Sequence, residues 1–253
     1  LRRQNYLLEA SLLREQVASF DDYPFNIPAI AALDTIAFEK PVTFLIGENG
    51  SGKSTLLEAI AVSWGMNAEG GSRNFNFATR DSHSVLSAHL KLSRSLRTAK
   101  DNFFLRAESF YNLATVIEDL GLHGVGPRSW ASYGRKSLHE QSHGESFLTM
   151  FMNRFNGKGF YVLDEPEAAL SPTRQLSVIS VLHELVGQGA QFIIATHSPI
   201  LMAYPDAAIF QMTDEGPQPV AYRDTEHFQV TRRFLENPER MLEILMEPEE
   251  DDS

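Results

Sequence analysis

Three short apolar runs punctuate this chain, each ending at a glycine, an acidic or another polar residue. Pro41-Val-Thr-Phe-Leu-Ile46 stops at Gly47, Gly159-Phe-Tyr-Val-Leu163 stops at Asp164, and Gln191-Phe-Ile-Ile-Ala195 stops at Thr196. Runs of this length, rich in β-branched and aromatic residues, predict strands buried on both faces. Helical patterns lie between them. Ser54 to Trp64 and Thr173 to Val186 predict helices, the second with Pro172 where a first turn tolerates it. Buried strands alternating with helices predict an α/β fold, a mostly parallel sheet flanked by helices.

The flanks are less regular. Tyr6 to Arg14 and Thr35 to Phe38 predict strands, and Tyr23-Pro-Phe-Asn-Ile-Pro28 a break, because neither proline can donate to a ladder. Phe110 to Leu120 and Glu145 to Phe155 predict helices, and Gly121 to Gly134 a loop. The polar stretch from about 67 to 148 is expected to form an inserted, partly helical lobe within a single domain over 1–253. Ala208–Met212 and Gln218–Tyr222 predict a hairpin, and the chain from Thr225 onward a helical end with an acidic tail.

Composition narrows the picture little. A hydrophobic content of 43% supports a sizeable core, and the net charge of -11 argues against unselective nucleic-acid binding. Lys91, Arg94, Arg97, Lys100 and Arg106 form a local basic stretch whose steps suit one helical face, most simply a solvated one, with contact to nucleic acid or an acidic partner as the alternative. Cysteine is absent, which leaves no disulfide and no thiolate site. No run approaches the roughly 18–20 apolar residues of a membrane span, and the start lacks the apolar core of a signal peptide. A cytoplasmic location without membrane insertion is the expectation.

The candidate chemistry sits at the ends of the buried strands. Gly47-Glu-Asn-Gly-Ser-Gly-Lys-Ser54 fits G-x-x-x-x-G-K-[ST] between a strand and a helix, where a phosphate loop must be. Gly47, Asn49, Gly50, Ser51, Gly52, Lys53, Ser54 and Thr55 are the expected nucleotide-binding residues. Glycines let backbone N–H groups wrap phosphates, the helix N-terminus favours negative charge, Lys53 reaches the β- and γ-phosphates, and Ser54 can ligate Mg²⁺. Asp164 is placed to hold the Mg²⁺ shell, and Glu165 to orient and deprotonate an attacking water. ATP and Mg²⁺ are the expected ligands.

Tyr161-Val-Leu-Asp-Glu-Pro166 and Ala169-Leu-Ser-Pro172 resemble the Walker B motif and D-loop of ABC-type P-loop ATPases. Ala195-Thr-His-Ser-Pro199 resembles the switch segment of that superfamily, with His197 as its histidine. Gln141-Ser-His-Gly-Glu145 resembles the signature motif, Ser142 and Gly144 matching its common form and Gln141, His143 and Glu145 departing from it. The combined wording is similar to stand-alone bacterial AAA/ABC-like ATPases with an SMC- or RecF-like signature. The resemblance implies ATP hydrolysis at the interface of a head-to-tail, ATP-dependent homodimer. Ser142 and Gly144 of one copy would close on the γ-phosphate held by the other, and His197 would contact it in cis. Glu108 stands where the superfamily places a Gln near Mg²⁺, and Tyr23 and Phe25 are aromatic candidates for adenine, with core packing the stronger reading. Three uses follow: a switch acting on a protein or nucleic-acid partner, the ATPase subunit of a transporter, and a RecF- or SMC-like DNA-maintenance ATPase. The stretch between Glu108 and Ser142 is too short for a long coiled-coil arm.

Overall fold

A computed structural model describes residues 5–67, 85–106, 151, 152 and 154–246. Its main sheet has six strands in the order β5-β6-β7-β3-β8-β9, and all neighbours are parallel except the last pair. The strands are β3 (Val42–Ile46), β5 (Asp101–Arg106), β6 (Gly159–Asp164), β7 (Gln191–Ala195), β8 (Ala208–Thr213) and β9 (Gly216–Pro219). A smaller antiparallel sheet, β2-β1-β4, joins β1 (Leu7–Leu12), β2 (Thr35–Ala37) and β4 (Leu90–Arg94). The helices are α1 (Pro28–Ala31), α2 (Lys53–Trp64), α3 (Pro172–Gly187), α4 (Pro199–Met202), α5 (Glu226–Glu236) and α6 (Pro238–Met246).

Alternation along the central strands divides the interior into two cores. Phe44, Leu105, Leu163 and Ile194 face one side, where α3 supplies Val178, Leu182 and Leu185. Leu45, Phe104, Val162 and Ile193 face the other, where α2 supplies Leu56, Leu57 and Ile60 over the small sheet's Leu7 and Ala10. Successive strand side chains point to opposite faces, so strands buried on both sides read as unbroken apolar runs.

Gln191 couples the two sheets. Its Oε1 accepts from the Tyr6 and Leu7 N–H groups at 2.8 and 2.9 Å, and its Nε2 donates to the Leu7 carbonyl at 2.8 Å. All of this is buried. Gln191→Leu leaves three backbone groups without partners, at about 1–3 kcal/mol each. The expected result is a melting temperature lower by roughly 10 °C or more, at about 2–4 °C per kcal/mol for a chain of this size. A thermal melt checks it; a Tm unchanged within about 2 °C contradicts this role for Gln191.

Several sequence expectations need correction. Residues 85–106, within the expected insertion, contribute β4 to the small sheet and β5 to the edge of the main one. The basic stretch therefore lies on no helical face: Lys91 and Arg94 are on β4 and Arg106 on β5. Its arginines are engaged within the chain. Arg94 stacks over Trp64 at 4.2 Å, Arg97 over Tyr6 at 4.7 Å, and Arg106 pairs with Glu58 at 2.8 Å. The hairpin forms, but its second strand is Gly216–Pro219, and Tyr222–Asp224 is a 3₁₀ turn instead of strand. As an edge strand, β9 tolerates Pro217 and Pro219. Phe151 and Met152 are helical, whereas the expected helix Phe110–Leu120 and loop Gly121–Gly134 lie outside the described residues.

Candidate nucleotide site

Parallel pairing brings the carboxyl ends of β3, β7 and β6 side by side, and the three motifs follow those ends. Ligands of open α/β sheets bind at this edge. After β3 the chain wraps through Gly47, Gly50 and Gly52, all at positive φ, into the start of α2. At Gly52 (φ 94°) a Cβ would also stand 3.0 Å from Ile27, so glycine is needed on two counts. Ser51 Oγ is buried and has no hydrogen-bond partner among the described residues.

Lys53 is folded into its own loop. It is buried, and its Nζ donates to the Gly47 and Glu48 carbonyls at 2.8 and 2.7 Å. Burial pulls the ammonium below its usual pKa, against the opposing pull of Glu165, Asp164 and Glu167. Ser54, one residue on, donates its hydroxyl to Asp164 Oδ1 at 2.9 Å, so the phosphate loop and the end of β6 meet directly. The register Arg106↔Asp164 between β5 and β6 sets Arg106 Nε 3.6 Å from Asp164 Oδ2.

Glu165 leaves β6 in the left-handed conformation (φ 49°, ψ 51°), which costs a non-glycine residue about 1–2 kcal/mol. Its N–H continues the sheet by donating to the Ala195 carbonyl at 3.0 Å. The turn leaves its carboxylate 3.5 Å from His197 Nε2. Both side chains are partly open to solvent, at 41% and 31%, although His197 Nε2 itself is buried. Burial lowers the His197 pKa, with Lys53 acting in the same sense and Glu165 against it.

The switch segment is held from behind. The His197 N–H donates to Glu167 Oε1 at 2.6 Å. Burial raises the Glu167 pKa, and that N–H bond works against the rise. Ser198 Oγ caps α4 by accepting from the Ile200 and Leu201 N–H groups, and it donates to Gln175 Oε1. Gln175 Nε2 in turn donates to the Leu170 carbonyl at 3.2 Å, tying the segment after β7 to the one after β6.

The expected residues Lys53, Ser54, Asp164, Glu165 and His197 thus converge. Tyr23 is exposed beside the loop, its hydroxyl 3.5 Å from Thr55 Oγ1, whereas Phe25 is buried in the core. Glu108, Ser142 and Gly144 lie outside the described residues.

Two domain models match the chain on either side of the intervening stretch: "AAA domain" over residues 26–107, and "AAA domain, putative AbiEii toxin, Type IV TA system" over residues 147–203. The chain carries a P-loop ATPase domain of the AAA/ABC type. This domain is 28% identical over 196 residues to the energy-coupling factor transporter ATP-binding protein EcfA of Methanosphaera stadtmanae, covering 70% of this chain and 67% of that protein. It is 28% identical over 176 residues to ABC transporter G family member 22 of Arabidopsis thaliana, covering 62% of this chain. The chain spans only 23% of that longer relative. Among solved structures, the SMC head domain from Thermotoga maritima aligns with a TM-score of 0.46 at 17% identity, over 85% of this chain and 98% of that one. The P-loop ATPase domain also has no helix, among the described residues, long and apolar enough to cross a membrane.

Sequence reasoning missed Arg106 as a site residue, and missed Glu167 and His227. Arg106 was hidden in the basic stretch. Glu167 had a signal, an acidic residue beside Asp164-Glu-Pro166. His227 had none.

Proposed function

We propose that this chain is an ATP-driven dimerisation switch, in which two copies enclose MgATP and hydrolysis releases them. The observation that carries the reading is the 2.9 Å contact between Ser54 Oγ and Asp164 Oδ1, with Glu165 and His197 alongside. A hydroxyl and a carboxylate meeting beside a phosphate loop are the oxygen donors that a hard cation such as Mg²⁺ takes, so the pair fits that ion. When bound, Mg²⁺ would neutralise charge building up on the β- and γ-phosphates.

The chain's own residues divide the remaining work. Lys53 exchanges its loop carbonyls for phosphate oxygens. Glu165 accepts a proton from the attacking water, and His197 contacts the γ-phosphate. Tyr23 offers an exposed ring beside Thr55 for adenine. The resemblance would put Glu108 near the cation as a further oxygen ligand.

The partial exposure of Glu165 and His197 supports a second surface. Hydrolysis gains from water exclusion, and the resemblance assigns that closure to Ser142 and Gly144 of another copy. The expected result is an ATPase rate per subunit that rises with protein concentration and then saturates. A per-subunit rate independent of concentration down to the lowest level at which the protein is measurably monomeric contradicts the composite site.

A second reading, the ATP-binding subunit of a transporter, is favoured by the similarity to the energy-coupling factor protein. Co-purification with membrane chains, and ATPase stimulation by them, distinguishes that use from a switch acting on a partner off the membrane.

A further inference from the structure

α5 sets a second imidazole against the switch histidine. His227 Nε2 lies 3.2 Å from His197 Nδ1, with ring centroids 5.3 Å apart. The position is fixed by short-range ties. Thr225 is fully buried and caps α5, accepting from the Phe228 N–H at 3.3 Å and donating to the Tyr222 carbonyl at 2.8 Å. The Tyr222 hydroxyl donates to the Pro199 carbonyl at 2.9 Å, two residues beyond His197.

An imidazole–imidazole hydrogen bond between neutral rings allows two proton arrangements. If His197 Nδ1 donates, its bare Nε2 lone pair faces the Glu165 carboxylate 3.5 Å away, which is repulsive. If His227 Nε2 donates, His197 carries its proton on Nε2, directed at Glu165 and the phosphate side. The second arrangement also leaves His227 Nδ1 bare. His227 Nδ1 and His197 Nε2 are both buried without a hydrogen-bond partner among the described residues, but a proton on His197 Nε2 faces the Glu165 carboxylate at 3.5 Å, whereas one on His227 Nδ1 would be an orphaned donor. Burial, more than the charged groups around the pair, favours neutral rings. Burial lowers both pKa values and Lys53 adds to it, while Glu165 opposes at His197 and Glu226 and Glu167 oppose at His227.

We propose that His227 is a positioning residue that holds His197 in its Nε2–H form, so that the switch histidine presents a donor to the γ-phosphate. The ring nitrogen that carries the proton is set by the hydrogen bond made by the other. The catalytic half of this proposal rests on the reading of His197 as a phosphate contact; the tautomer does not.

The test uses the full chain with ¹⁵N-labelled histidine, its imidazole shifts read by NMR above neutral pH without nucleotide and assigned by single-histidine variants. Both His197 and His227 are expected as single Nε2–H tautomers. In His227→Ala, His197 is expected to become a mixture, and turnover to fall about tenfold with the KM for ATP changed less than about threefold. His227→Gln, whose amide can still donate, is expected to recover most of both and serves as the control for folding. An Nδ1–H form of His197 in the unsubstituted protein, or a tautomer unmoved in His227→Ala, overturns the proposal. His197→Ala with normal turnover instead overturns the phosphate reading, and with it the catalytic half alone.

Discussion

Glu165→Gln is expected to lower ATP turnover by about 10²–10⁴-fold, the range a positioned general base contributes, with MgATP affinity kept within about threefold. The substitution preserves volume and removes only the proton acceptor. The left-handed turn at Glu165 belongs to the backbone and is anchored by its N–H on the Ala195 carbonyl, so the glutamine inherits the same aim. His197 keeps an oxygen partner in the amide. Single-turnover hydrolysis together with equilibrium nucleotide binding checks both halves. Loss of binding in parallel with turnover would make Glu165 a binding residue instead of the base.

Lys53→Ala is expected to weaken ATP binding about 100-fold. Hydrogen bonds to charged groups contribute about 1.5–3 kcal/mol, and removing the contacts to two phosphates costs about 3 kcal/mol once the lysine's present partners are subtracted. Those partners matter to the sign. Without nucleotide, Nζ already satisfies the Gly47 and Glu48 carbonyls, so binding exchanges existing hydrogen bonds for stronger ones to anions. The same variant orphans the two carbonyls and costs some stability, which separates it from a neutral surface change. Titration calorimetry with ATP measures the effect; affinity within about threefold of the parent removes Lys53 from the phosphate site.

The parts of the fold legible in the sequence are those whose pattern is local. β3, β6 and β7 are buried on both faces, so each is an uninterrupted apolar run, and the motifs sit at their ends by chain order alone. β4 is not separable from the polar stretch around it, and β5 shows there only as the short apolar run Phe103-Phe-Leu105, strand-like but with no visible partner. β4 is mostly half-exposed and carries Lys91 and Arg94, and β5 has only Phe103, Phe104 and Leu105 buried. Their partners, β1 and β6, are remote in sequence, and pairing of that range leaves no periodic trace. The site divides in the same way. Lys53, Ser54, Asp164, Glu165 and His197 follow strand ends and could be named from spacing. Arg106 enters only because its register places it opposite Asp164, and His227 only because Tyr222 and Thr225 pin α5 onto the segment after β7.

If ATP joins two copies of this chain, the solution mass of Glu165→Gln, measured by light scattering, changes with the nucleotide. With hydrolysis blocked, the protein is expected to be monomeric alone, dimeric with MgATP, and monomeric again with MgATP when Ser142 is also changed to Arg. A mass unchanged by MgATP, under conditions where calorimetry shows the nucleotide bound, would contradict the dimerisation switch and leave an ATPase whose site is completed by a different partner.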